Sequence, residues 1–402
     1  MKAVILAAAP SPRLLPFTEN RAKPLVRVAG RTLLDCTAES LVSAGITEVV
    51  MVVNHQRETI QDYLEHGRRH GLSVEYVVQE TIDGIGSAIQ LCKDKIKDDA
   101  FLLLYGDVLT TGPFVGRMLE QYMMDGGAVA GLSLPGSSKD FGNVYLNPDM
   151  RIARLVEKPT ERNLSNYVFA GGFVLPNSFF SLLSEHNNDV EASFQSLIQK
   201  GQFTGSDWEG DWIDVRWPWN ILEANQILMK NWKSANVHES VRLEGAVHIE
   251  GAVHIEPNVR IGAGTVLKGP CYIGAGSYIG NNALIRQFTS LGPESIVGYG
   301  TELKNCVLLG RSTLGRLSYI GDSVIGERVV LGTGVTTVNI HRDEKPVEVE
   351  TGYGLQQTGI KKLGAFIGDD VNIGARQVMA PGTVIPSGYV AEDLITLHTP
   401  KG

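Results

Sequence analysis

Cysteine is scarce in this sequence: Cys36, Cys92, Cys271 and Cys306 are the only four in 402 residues, and none stands at metal-ligand spacing from another. That excludes a disulfide-framed secreted scaffold and a paired-cysteine zinc site, and it fits reduced thiols in the cytoplasm. Long apolar runs are also lacking. The opening Met1-Lys2-Ala3-Val4-Ile5-Leu6 stops at prolines and Arg13, too short for a signal peptide or a membrane span, and reads as a buried first strand. Positive charge is not in excess. The 36 Lys and Arg face 44 Asp and Glu, a net charge of −8, which argues against nucleic-acid or anionic-membrane partners and confines an anionic ligand to a local cationic pocket. None of the nine histidines forms a metal-ligand spacing, and His238, His248 and His254 read as solvent-facing.

The length favours two domains, each able to bury its own core. Up to about residue 225, short β-rich runs alternate with helical stretches: Lys2–Ala7, Leu33–Ala44, Glu48–Val53, Arg57–His66. Such alternation predicts an α/β layer with a largely parallel sheet, whose ligands sit beyond the carboxyl ends of strands, here after Ala7 and Leu104. Residues 226–236 read as a helical connector. The five tryptophans at 208, 212, 217, 219 and 232 read as packing rather than sugar-stacking groups.

From Val237 every sixth residue is aliphatic through Leu309, as at Ile255, Ile261, Leu267, Ile273, Ile279 and Ile285, and glycine often follows. A six-residue period fits neither a helix nor an alternating strand. It fits a parallel β-helix whose flat sides are short strands and whose aliphatic residues point inward in one column. After a shift near Gly315 the pattern resumes at Ile320, Ile325 and Leu331, then from Ile367 to Ile385. The predicted coil spans 237–395, with a polar excursion at about 339–363.

Several chemistry-bearing stations follow one another in the first 225 residues. Ile5-Leu6-Ala7-Ala8-Ala9-Pro10-Ser11-Pro12-Arg13-Leu14 leads from a strand into a loop, with Thr18 and Lys23-Pro24 beyond. Backbone amides after a strand can hold phosphates, and fixed cations stabilise phosphoryl transfer. Gln79-Glu80-Thr81-Ile82-Asp83-Gly84 offers a side-chain amide suited to the donor–acceptor edge of uracil or thymine. Leu102-Leu103-Leu104-Tyr105-Gly106-Asp107 is a buried strand ending at a carboxylate, and Asp214 supplies a second. A hard cation such as Mg²⁺ prefers such oxygens.

In this order the stations resemble the sugar-1-phosphate nucleotidylyltransferases. The resemblance implies a Rossmann-like α/β nucleotidyltransferase domain over 1–225, with Arg13 and Lys23 neutralising the departing pyrophosphate and Ala8, Ala9, Gln79 and Gly84 holding the nucleotide. It further implies Asp107 and Asp214 as Mg²⁺ ligands, and Gly142, Glu157, Lys158 and Gly171 as the sugar-phosphate pocket. The expected reaction is attack by a hexose 1-phosphate on the α-phosphorus of UTP or dTTP. The chain departs from the pattern at Ala9 and Ser11, where glycines are expected, and Pro10 and Pro12 bring no amide hydrogens. Phe169 stands where relatives specific for N-acetylglucosamine often place an Asn.

Head plus coil is similar to the bifunctional N-acetylglucosamine-1-phosphate uridylyltransferases/glucosamine-1-phosphate acetyltransferases. This resemblance implies a left-handed parallel β-helix and a homo-oligomer, a trimer through the coil or a multiple of it. It places a second site at Arg286, Lys304, Arg316, Tyr319 and Asn339, with acetyl-CoA as its co-substrate. Arg316 occupies the position of the family's general-base His, and a guanidinium cannot take up a proton at neutral pH. Three readings stay open at this point: a pyrimidine-nucleotide transferase, a bifunctional transferase with glucosamine-1-phosphate acetylation, and a non-catalytic regulatory subunit with a degenerate phosphate loop.

Overall fold

In the computed structural model, which describes residues 1–135, 141–156 and 165–393, the first apolar run is a strand, Ala3–Ala7, buried along nearly its whole length. The chain divides into two compact units. The first comprises Met1–Pro10, Ala22–Leu25 and Leu33–Asp214, and is built on a nine-stranded sheet. Ala3–Ala7 pairs in parallel with Glu48–Val53 on one side and Ala100–Tyr105 on the other, and Ser73–Val78 extends the parallel half. Valine and leucine dominate these strands because apolar layers bury both faces.

The other half departs from the expected largely parallel sheet. The ten-residue strand Tyr167–Pro176 runs antiparallel to Ala100–Tyr105, Ala128–Ser133 and Asn143–Leu146. Antiparallel pairing needs no crossover helix, so this half carries fewer of the strand–helix alternations that betray a parallel sheet. Helices Leu33–Ser43 and Phe114–Asp125 supply one apolar layer, and Phe179–Glu185 and Val190–Gln199 the other.

The second unit comprises Ser11–Arg21, Val26–Thr32 and Val215–Gly402. Its main body is a coil of short strands in three parallel ladders of eight, eight and seven. Partners lie eighteen residues apart in the early turns, as Val253 with Cys271 and Ile261 with Ile279. Three six-residue sides therefore make one turn, and the inward residues of successive turns form one buried column. The corners need a left-handed backbone, which Asn258, Gly264, Gly276 and Asn282 adopt at φ between 56° and 74°. The glycine after an inward residue lets turns stack closely: a Cβ on Gly274 would come within 2.7 Å of Pro293 N.

One expectation is corrected here. The register passes from Leu291 to Leu308, seventeen positions on, so Leu308 rather than Leu309 joins the column, and the shift precedes Gly315. The excursion contains an antiparallel ribbon, Glu348–Thr351 with Gly354–Gln357. Helix Asn220–Met229 lies in the same unit, and Trp217 stacks on Trp219 at 5.4 Å. His254 stacks on Trp232 at 3.7 Å, so it does not simply face solvent as the sequence suggests. Among the described residues, no helix is long and apolar enough to cross a membrane.

Candidate functional site

Gly106 follows the central strand Ala100–Tyr105, donating its N–H to Leu6 O at 3.0 Å. A Cβ there would lie 2.8 Å from that oxygen, so only glycine lets the strand ends approach this closely before the chain reaches Asp107. Two strands then fix the second carboxylate. Trp212–Asp214 pairs antiparallel with Val108–Thr110, setting Asp214 opposite Val108, the residue next to Asp107. Between the carboxylates stands Lys23, 6% exposed, with Nζ 2.8 Å from Asp107 Oδ2 and 3.6 Å from Asp214 Oδ1.

Three predicted residues distant in sequence thus share one cluster. Its formal charges, one ammonium against two carboxylates, leave a net negative centre that attracts a cation. Asp107 is 39% exposed and Asp214 15%, so one carboxylate is open to solvent while the other is largely enclosed. Two oxygen donors suit an ion that keeps waters and phosphate oxygens in its shell, as Mg²⁺ does. Among the described residues no group of three or more His, Cys, Asp and Glu is placed to hold a metal ion.

Gln79 ends the strand side of a cleft of about 350 Å³ lined by Glu80, Thr81, Asp83, Ser87 and Gln90. The Gln79 side chain is buried, and its Nε2 donates to Asp83 Oδ1 at 3.2 Å, to Gly84 O at 3.1 Å and to Ser87 Oγ at 3.0 Å. Hydrogen bonding from Ser87, assisted by Gln79, holds the Asp83 carboxyl below its ordinary value. Gln79 and Gly84 are therefore brought together as expected. Asp83 and Ser87 were missed by sequence reasoning, although a carboxylate and hydroxyl four and eight residues after the glutamine were the available signal.

The sugar stations are only partly within reach. Gly171, at φ 79°, lies where the register of Tyr167–Pro176 slips against Ala128–Ser133, and the neighbouring Ala170 O accepts from Trp212 Nε1 at 3.0 Å. Gly142 directly precedes strand Asn143–Leu146, beside Phe141, whose ring meets Trp212 edge-on at 5.4 Å. Glu157 and Lys158 lie outside the described residues. Phe169 packs against Phe173, Phe194 and Phe203 at 5.1 to 6.1 Å, so its side chain fills the core.

Ala8 is buried and Ala9 exposed at the end of the first strand. Ser11 adopts a left-handed conformation at φ 51°, and its carbonyl accepts from Thr18 Oγ1 at 3.0 Å. Arg13 is exposed, with its guanidinium over the rings of Trp217 and Tyr353.

In the coil, stacking of successive turns assembles most of the second predicted site. Arg286 Nη1 lies 2.8 Å from Glu302 Oε1, Lys304 Nζ lies 3.1 Å from Asp322 Oδ2, and Asn339 Nδ2 bonds Tyr319 Oη at 3.2 Å and also Asp322. Burial pushes the Tyr319 phenol up, reinforced by the negative charges of Asp322 and Glu302. Arg316 is exposed at the corner preceding this strand. Glu302 and Asp322 were missed. The coil register, which sets Glu302 opposite Leu284 and Tyr319, was the signal that would have found Glu302.

Residues 2–231 match the family described as nucleotidyl transferase, and residues 267–399 match the GMPPB C-terminal domain. The chain is similar to the bifunctional protein GlmU of Methanococcus vannielii, at 32% identity across 97% of this chain and 93% of that one. It is also 32% identical to a bifunctional sugar-1-phosphate nucleotidylyltransferase/acetyltransferase of Sulfurisphaera tokodaii, across 96% of this chain and 94% of that one. Among solved structures, a UDP-glucose pyrophosphorylase complexed with UDP-glucose superposes with TM-score 0.52 at 20% identity, covering 56% of this chain and 97% of its own. The UDP-glucose pyrophosphorylase of Acinetobacter baumanii does so with TM-score 0.51 at 23% identity, covering 56% and 91%. Those two likenesses concern the fold alone. With the family match spanning more than half the chain and relatives aligned nearly end to end, this chain belongs to the nucleotidyltransferase family.

Proposed function

We propose that the chain transfers a nucleotidyl group from UTP or dTTP to a hexose 1-phosphate, releasing pyrophosphate and forming a nucleotide sugar. The observation that carries this reading is the buried Lys23 between Asp107 and Asp214 in a chain of this family. An anionic phosphate oxygen of the sugar 1-phosphate attacks the α-phosphorus as the bond to the departing pyrophosphate breaks. That nucleophile is already ionised, so no side chain has to remove a proton. Lys23 and Arg13 neutralise the growing negative charge, and Asp107 with Asp214 would hold Mg²⁺, which supplies charge neutralisation and alignment when bound. Gln79 and Gly84 select the pyrimidine, and Gly142, Glu157, Lys158 and Gly171 take the sugar phosphate. The test is a matrix of nucleoside triphosphates against sugar 1-phosphates, read by pyrophosphate release. The reading expects release with UTP or dTTP; folded protein that releases none over the whole panel overturns it.

A second reading concerns the coil, where Arg286, Lys304, Tyr319 and Asn339 gather cationic and amide groups suited to an amino-sugar phosphate. Acetyl transfer from acetyl-CoA to glucosamine 1-phosphate would need a proton acceptor other than Arg316. Free-thiol release from acetyl-CoA, lost in Lys304→Ala and Asn339→Ala, supports this reading; release unchanged in both variants removes these residues from it. The coil is also the surface expected to assemble a trimer, which a solution mass measurement decides.

A further inference from the structure

The loop that carries Arg13 groups with the coil. Ser11–Arg21 belongs to the compact unit of Val215–Gly402, and three contacts tie it there. Arg21 Nη2 lies 3.2 Å from Glu327 Oε1 and 3.3 Å from Asp369 Oδ1, and Glu19 Oε2 accepts from the Ser387 N–H at 2.9 Å. The third contact involves Arg13 itself, whose guanidinium carbon stands 5.7 Å from the centre of the Trp217 ring and 5.4 Å from that of Tyr353. The two rings meet edge-on at 84° with centroids 6.2 Å apart, so they bound the guanidinium from two directions.

The Trp217 ring and the Tyr353 main chain are each held by their surroundings. The Trp217 backbone N–H donates to Asn220 Oδ1 at 2.8 Å, and its indole stacks on Trp219. Tyr353 occupies the turn of the ribbon in the excursion, where its N–H donates to Thr351 Oγ1 at 3.1 Å and its carbonyl accepts from Gln356 Nε2 at 3.0 Å. The residue is 52% exposed, so core packing does not account for an aromatic at this tip. Aromatic faces hold a guanidinium without neutralising its charge and without consuming its five N–H donors. A carboxylate in the same place would do both. Arg13 is thereby kept in position with its donors available to phosphate oxygens.

We propose that Tyr353, with Trp217, is a positioning residue for nucleotidyl transfer, holding Arg13 for the charge that develops on the departing pyrophosphate. The proposal rests on the function proposed above.

The test uses the full chain. Tyr353→Ala lowers kcat by about fivefold, the scale of one exposed cation–π contact, with KM for the hexose 1-phosphate unchanged because the contact matters in the transition state. Tyr353→Phe keeps the ring and retains wild-type kcat. Tyr353→Leu keeps apolar bulk without a π face and behaves as Tyr353→Ala. In an Arg13→Ala background Tyr353→Ala has no further effect, an outcome that a merely structural tyrosine would not produce. Trypsin cleavage after Arg13, mapped by mass spectrometry, reads the clamp without turnover and is faster in Tyr353→Ala. Wild-type kcat in Tyr353→Ala, rescue by Leu equal to rescue by Phe, or additive effects with Arg13→Ala overturn the proposal. If the wild-type chain releases no pyrophosphate while trypsin still reads the clamp, the proposed function fails and Tyr353 holds Arg13 for no catalytic purpose. If turnover occurs but trypsin and kcat are indifferent to Tyr353, only the positioning role fails.

Discussion

A lysine ammonium 6% exposed is costly to bury unless carboxylates face it, and Lys23 faces two. Replacing it by methionine removes a fixed cation from the place where, on the proposed function, negative charge develops, so Lys23→Met is expected to lose about 100- to 1,000-fold in kcat while the far-ultraviolet spectrum stays native. Gln79→Leu removes the amide of the cleft but leaves the two carboxylates in place. That variant loses discrimination among nucleobases by about tenfold or more, read as a ratio of kcat/KM values. These residues were legible because strand ends and short motifs announce them. Asp83 and Ser87 were not read, because a carboxylate and a hydroxyl near a glycine look like ordinary turn composition. Phe169 illustrates the opposite difficulty: the sequence shows only that it stands where some relatives place an Asn, and the aromatic core shows where its ring goes.

At the scale of elements, the six-residue period was legible because each turn repeats the same physical demand, an inward aliphatic residue and a corner with a left-handed backbone. Ile285, fully buried in the column, has no space into which its neighbours can collapse without shifting a turn. Ile285→Ala therefore costs about 3 kcal/mol, checked by denaturant unfolding of the full chain. The shift at Leu308 was hidden, since Leu308 and Leu309 are both aliphatic and either satisfies the pattern. Charge adds a pH dependence to the coil. Burial pushes the Glu327 carboxyl up, but hydrogen bonds and attraction from Arg311 and Arg21 outweigh it and hold it below its ordinary 4.5. A depressed folded value means that this stabilisation is present above pH 4.5 and is lost as pH falls from there through the folded value. The melting temperature of the wild type should fall over that window. Arg21→Ala flattens the fall, and because Asp369 is only 1% exposed, removing its partner costs about 3 kcal/mol at neutral pH.

On the scale of the whole molecule, the division into an α/β head and a parallel coil was legible from the change of period near Val237. The membership of the two units was not. Ser11–Arg21 and Val26–Thr32 group with the coil although they lie within the first 32 residues, because ion pairs such as Arg21–Asp369 join residues 348 positions apart and no local pattern encodes them. The two carboxylates of the head were expected as a pair of Mg²⁺ ligands from the resemblance, while their meeting at Lys23 depends on the pairing of Trp212–Asp214 with Val108–Thr110, another distant match. The central claim is that this meeting point serves nucleotidyl transfer from a pyrimidine nucleoside triphosphate. Its most direct test is pyrophosphate release measured over a panel of nucleoside triphosphates and hexose 1-phosphates with Mg²⁺, in the wild type and in Asp214→Asn. The account predicts release with UTP or dTTP that chelation abolishes and Asp214→Asn reduces at least about tenfold. Release that is indifferent to Asp214, or folded wild-type protein that releases none with any pair, would contradict it.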